Sequence, residues 1–130
     1  MRSYAGAICG GICWDGGAGT LLWTDAANWT TDLLPGTTDL VFIDLENGVN
    51  VQLSGGTHTI ASLTTTAGNT LNLSGGALTL SGGASGQAAS ALAGDLVLSG
   101  GSFTANAPTQ INRLLQAAGS FGGSGAVTFT

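Results

Sequence analysis

Seven carboxylates, two arginines and one histidine are all the charged or readily charged side chains in this sequence, and Cys9 and Cys13 are its only thiols. Glycoside hydrolysis needs two carboxylates facing one bond, roughly 5–9.5 Å apart. A polysaccharide lyase needs carboxylates or a metal against the uronate, and a base. From residue 47 to residue 130 the ionisable side chains are His58, Asp95 and Arg113 alone. That part of the chain cannot assemble either site, so no catalytic residue is assigned and the chain is not expected to be an enzyme. His58 lies between Thr57 and Thr59 in an expected strand with no acid near it in sequence. It reads as a surface or stacking histidine rather than a triad member.

Metal chemistry is equally thin. Cys9 and Cys13 form a Cys-x3-Cys pair without further Cys or His ligands nearby, which disfavours zinc. A local disulfide in an oxidising compartment and two free thiols both stay open. Calcium-binding β-rolls carry G-G-x-G-x-D, where the Asp supplies the ligand oxygen. Gly122-Gly123-Ser124-Gly125 begins that pattern, but Val127 stands where the Asp belongs; Gly16-Gly17-Ala18-Gly19 begins it too, with Leu21 in that place. Asp39, Asp44 and Glu46 could gather around a surface calcium, although a solvated polar turn explains them with less. No metal and no cofactor is expected.

Trp14, Trp23 and Trp29 carry the sharpest binding signal. Exposed indoles stack on sugar rings, so the three are the candidate carbohydrate-binding residues. Buried, they would instead plug one end of a thin core. Asn28-Trp29-Thr30 and Asn72-Leu73-Ser74 are glycosylation sequons. Thr57, Thr59, Thr64, Thr65 and Thr66 hint at an ice-binding face, but their uneven placement argues against the flat array such a face requires.

The elements that would position these residues announce themselves by repetition. Val51-Gln52-Leu53-Ser54-Gly55-Gly56 recurs as Leu71-Asn72-Leu73-Ser74-Gly75-Gly76 and as Leu96-Val97-Leu98-Ser99-Gly100-Gly101, spaced 20 and then 25 residues apart. Each copy runs into a second short strand: Thr57–Ile60, Ala77–Leu80 and Ser102–Ala105. Ser120-Phe121-Gly122-Gly123, leading into Ala126–Phe129, reads as a worn fourth copy. Periods of this size mark stacked supersecondary units. Alternation within each strand turns two apolar side chains to one face. The Ser-Gly-Gly that follows turns the chain sharply.

Composition agrees with this pattern. Charged residues are 7% of the chain, Gly supplies 23 positions, and there is no lysine. Hydroxyls and amides therefore provide the polar surface. A net charge of -5 with two widely separated arginines excludes a nucleic-acid partner. No apolar run reaches the ~18 residues of a membrane-spanning helix. The opening Met1-Arg2-Ser3, followed by a Gly-broken apolar stretch, matches a signal peptide poorly. An upstream start and a truncated chain are therefore expected.

Residues 1–50 read as an N-terminal cap and first coil, and residues 51–130 as Gly/Thr/Ser-rich coils of the same structural domain. Asp39–Asp44 is a strand bounded by acids, Glu46-Asn47-Gly48 a turn, and residues 108–118 a coil with a bulge or a single helical turn. The expected fold is all-β: a right-handed parallel β-helix (β-solenoid) of four to five short coils with a Trp-rich N-terminal cap. An antiparallel barrel or sandwich is the structural alternative.

The order Trp14-Asp15-Gly16-Gly17, Trp23-Thr24-Asp25-Ala26-Ala27-Asn28-Trp29, Leu34-Pro35-Gly36-Thr37-Thr38-Asp39 and then the Leu-Ser-Gly-Gly strands resembles β-helical segments of large secreted bacterial surface proteins, such as autotransporter passengers and adhesins. The resemblance implies a right-handed parallel β-helix, export to the cell surface or medium, and a stalk or adhesive role. It carries over no catalytic residue. The functional expectation is thus a non-catalytic structural or adhesive module. Self-association through its ends and contact with a surface polysaccharide are the expected partnerships, without insertion into a membrane. A carbohydrate-binding module using the three tryptophans is the alternative, and a fragment of a β-helical polysaccharide-degrading enzyme comes third.

Overall fold

Leu-x-Leu and Val-x-Leu segments alternate apolar and polar side chains, and each such segment forms a strand with its apolar residues buried. A computed structural model describes residues 11–129; Cys9 and the opening segment lie outside these. Twelve strands are found there: β1 Ile12–Cys13, β2 Leu40–Ile43, β3 Asn50–Leu53, β4 Thr57–Ile60, β5 Ser62–Thr65, β6 Thr70–Leu73, β7 Ala77–Leu80, β8 Ser90–Leu98, β9 Ser102–Ala105, β10 Thr109–Gln116, β11 Ser120–Gly122 and β12 Val127–Phe129. Helical structure is confined to single 3-10 turns at Ala26–Asn28 and Gly83–Ser85. The fold is all-β.

Every ladder between these strands is parallel. One row runs β1-β2-β5-β8-β10-β12, with β3 joined through β6 to β8, and a separate four-stranded sheet runs β11-β9-β7-β4. The antiparallel barrel or sandwich is therefore set aside; among the described residues the single antiparallel contact is an isolated bridge between Trp14 and Trp29. Register is kept from strand to strand. Val51 lies opposite Leu71, Leu71 opposite Leu96, and Leu96 opposite Leu114. Leu53, Leu73, Leu98 and Gln116 form the next column in the same way. In the second sheet His58, Leu78, Phe103 and Phe121 are aligned. These columns build one apolar core that includes the three tryptophans.

The two glycines of each Ser-Gly-Gly do different work. The second adopts a left-handed backbone, with φ of 81° at Gly56, 70° at Gly76 and 66° at Gly101, a conformation that a Cβ disfavours. The first makes room for the neighbouring strand. A Cβ on Gly75 would run into the carbonyl oxygen of Ser54, and one on Gly100 into that of Ser74. Gly55 has nothing within 4 Å of such an atom.

One detail departs from the sequence reading. Ser120–Gly122 is not a copy of the Ser-Gly-Gly turn: it pairs with Ser102–Thr104, so it corresponds to the second strand of the repeat. Stacking of Phe121 on Phe103, at 5.3 Å and 12°, fits that register. Of the two readings of residues 108–118, the bulged one fits: residues 109–116 form a strand with an irregularity between Ile111 and Arg113.

Candidate functional site

The tryptophan-rich opening is held together by one buried asparagine. Asn28 closes the 3-10 turn and is fully buried. Its Nδ2 donates to Thr20 Oγ1 and to the Leu22 carbonyl, both at 3.0 Å, and its Oδ1 accepts from the Ala18 amide at 3.0 Å. Its own carbonyl accepts from the Asp15 and Gly16 amides. With both amide atoms engaged inside the protein, Asn28 has no free face for a glycan. Asn72, the other sequon residue, is half-buried and accepts a hydrogen bond from Ser99 Oγ.

Around this frame the indoles meet edge to face. Trp23 and Trp29 lie 4.8 Å apart at 70°, and Trp14 and Trp29 lie 5.3 Å apart at 88°. Trp29 Nε1 donates to the Trp23 carbonyl at 3.0 Å, whereas Trp23 Nε1 is buried without an acceptor. All three side chains are buried to within 1% of complete. A sugar ring needs an open aromatic face, and none of these three offers one. The structure thus brings Trp14, Trp23 and Trp29 together as a closed plug, not as the exposed platform that the sugar-binding alternative requires.

Cys13, at the end of β1, is buried and disulfide-bonded; Cys9 lies outside the described residues. His58 is half-buried, its Nε2 3.0 Å from the Gly55 carbonyl and its ring 6.2 Å from that of Trp23. It occupies the inward column of Leu78 and Phe103, so it is a stacking histidine at the end of that column.

Three of the acids accept local hydrogen bonds. Asp15 Oδ1 accepts from the Gly17 amide at 2.9 Å, Asp39 Oδ2 from the Gly36 amide at 2.6 Å, and Asp25 Oδ2 from Thr20 Oγ1. Asp44 stands apart. Burial raises its carboxyl above the ordinary range, a backbone hydrogen bond partly opposes this, and Oδ1 is buried with no partner. Asp39, Asp44 and Glu46 do not converge on a common point, and no group of three or more His, Cys, Asp or Glu that could hold a metal occurs among the described residues. Asp95 and Arg113 are neighbours across β8 and β10, 3.9 Å apart, with Arg113 exposed and Asp95 partly so, where screening leaves such a pair little energy.

Two surface features escaped sequence reasoning. Thr59, Thr79 and Thr104 align in one column of the second sheet, because the extra residues of the longer repeat are taken up between β7 and β8. A shallow groove of about 240 Å³ follows Ser90, Pro108, Gln110 and Thr128. It contains no charged side chain. The column is signalled by the Thr at the third position of Thr57–Ile60, Ala77–Leu80 and Ser102–Ala105; the groove depends on strand register, which the sequence does not display.

Set beside protein-family models, curated proteins and solved structures, the chain matches none of them.

Proposed function

We propose that this chain is a non-catalytic structural module, a right-handed parallel β-solenoid of about four coils with a tryptophan-plugged N-terminal end, belonging to a secreted or cell-surface bacterial protein of the autotransporter-passenger or adhesin kind. The observation that carries the reading is the unbroken register of apolar columns, from Val51 through Leu71 and Leu96 to Leu114. A chain that returns to the same three lines, once per repeat, builds length and repeated outer faces. It does not build a cleft.

The distribution of polar chemistry supports the same conclusion. Three of the acids accept local hydrogen bonds, the outer faces carry hydroxyls, amides and small side chains, and the groove along Ser90, Pro108, Gln110 and Thr128 is lined by no ionisable group. A stalk or adhesive surface uses such faces. The oxidising compartment implied by export agrees with the disulfide-bonded Cys13.

Incubation of the purified chain with a panel of cell-surface polysaccharides tests this reading. New reducing ends and unsaturated uronate products are measured, together with retention on the insoluble polymers. A structural module yields no cleavage, and its retention is the same for wild type and Trp14→Phe. Cleavage of any polymer would overturn the proposal, as would retention abolished by that substitution in a folded protein.

A further inference from the structure

Of the threonines whose uneven placement argued against an ice-binding face, three lie off the second sheet. Thr64 and Thr65 are in β5, with Thr65 buried, and Thr66 follows that strand. Thr57 and Thr59 remain, in β4, and parallel pairing adds to them. Thr59, Thr79 and Thr104 form one outward column across β4, β7 and β9, and Thr57, Ala77 and Ser102 form the column beside it. Leu78 and Phe103, which alternate with these residues, are fully buried, and this fixes the two columns on the outer face. Register is unbroken in both ladders, whereas it shifts between β8 and β10. The array runs along the flank of the coils rather than across either end.

We propose that this face binds ice, through Thr59, Thr79, Thr104 and the column beside them. The inference rests on the solenoid reading above, because stacked coils repeat one hydroxyl at the strand spacing. Neighbouring parallel strands lie about 4.8 Å apart, and side chains two positions apart on one strand about 6.6 Å. Prism surfaces of ordinary ice present oxygen atoms on a rectangular grid close to these two repeats. A branched Cβ restricts χ1, so threonines in like backbone surroundings present hydroxyl and methyl in the same order. Leu78 stacked on Phe103 beneath the face is the kind of inner ladder that keeps a sheet flat.

The chemistry of the face selects this occupant. Its outward positions on β4, β7 and β9 carry no charge, so an ionic partner has nothing to pair with. They carry no aromatic ring either, since Phe103 is buried and stacks on Phe121 within the column, so a sugar ring has no platform. Hydroxyls elsewhere are tied down: Ser81 Oγ donates to the Ile60 carbonyl and Ser99 Oγ to Asn72. Those of Thr57, Thr59, Thr79, Ser102 and Thr104 have no partner among the described residues. Each is left to donate one hydrogen bond and accept others, as a water molecule in the lattice does.

The test is slow growth of ice into a solution of the purified chain, with protein measured in the ice and in the remaining liquid. Wild type is compared with Thr79→Tyr, with Thr104→Tyr one strand away, and with Thr64→Tyr, the same change on another outer face. Hydrogen exchange follows the amides of β6, β7 and β9 in each. The expected result is uptake of wild type and Thr64→Tyr into the ice, and loss of uptake in Thr79→Tyr and Thr104→Tyr with protection unchanged. Wild type excluded from ice, uptake indifferent to both column variants, or uptake lost equally in Thr64→Tyr would overturn the proposal. Retention on an insoluble polysaccharide that Thr79→Tyr abolishes, without uptake into ice, would overturn it in favour of a glycan surface. Exclusion from ice with protected amides defeats the ice face alone, whereas unprotected amides in wild type defeat the solenoid reading on which it stands.

Discussion

The indole N–H of Trp29 is hydrogen-bonded to the carbonyl oxygen of Trp23 at 3.0 Å, while the N–H of Trp23, equally buried, has no acceptor. Replacing either indole with a benzyl ring removes comparable apolar area. Only Trp29→Phe also strands a buried carbonyl. Trp29→Phe should therefore cost about 2 kcal/mol of unfolding free energy and Trp23→Phe about 1 kcal/mol, measured by urea denaturation. Equal costs, or a larger one for Trp23→Phe, would count against this view of the plug.

Position, rather than glycine content as such, decides the cost of a methyl group in the turns. Gly100 faces the Ser74 carbonyl across the strand spacing, and Gly55 faces open space. Neither has a positive φ, so the comparison isolates the steric term. Gly100→Ala should destabilise by about 1–3 kcal/mol, and Gly55→Ala should be neutral within about 0.5 kcal/mol. Thermal melts of the two variants side by side would show it.

Asn69 ties the corner between β5 and β6. Its Nδ2 donates to Thr66 Oγ1 at 2.8 Å and to the Leu45 carbonyl at 3.2 Å, and the residue is fully buried. Asn69→Ala removes both bonds, although the Leu45 carbonyl keeps the Gly48 amide as a donor, and should cost about 1 kcal/mol. Hydrogen exchange should place the loss of protection first in the amides of β6.

Asp44 gives a pH dependence of defined sign. Its carboxyl is raised in the folded protein because burial disfavours the charged form. The folded state thus binds the proton more tightly than the unfolded chain. The stabilisation from this residue is complete below the ordinary carboxylate range and is lost as pH rises through the raised value. Asp44→Asn should raise the denaturation midpoint at neutral pH, and the advantage should vanish in acid. A variant less stable than wild type at neutral pH would refute the assignment.

Much of the strand pattern was legible because it is local. Val51-Gln52-Leu53 and its copies alternate as strands must, and the glycines that follow stand where the backbone turns or neighbours press close. What was not legible depends on contacts between repeats. Ser120-Phe121 resembles the turn motif in sequence, yet its register is that of Ser102-Phe103. β8 runs unbroken from Ser90 to Leu98 because Gly94 lets the strand pass over the Asn69 carbonyl; nothing local distinguishes that glycine from one at a turn. The tryptophans were recognised as either a plug or a platform. Their burial depends on Asn28, whose three hydrogen bonds reach residues six to ten positions earlier in the chain.

The burial of the tryptophan cluster is tested most directly by the intrinsic fluorescence of the purified chain under acrylamide quenching, before and after addition of cell-surface polysaccharides. Three buried indoles predict blue-shifted emission, protected from the quencher and unmoved by every polysaccharide. Red-shifted, readily quenched emission that moves saturably with one glycan would contradict the account and make the same three residues a binding surface.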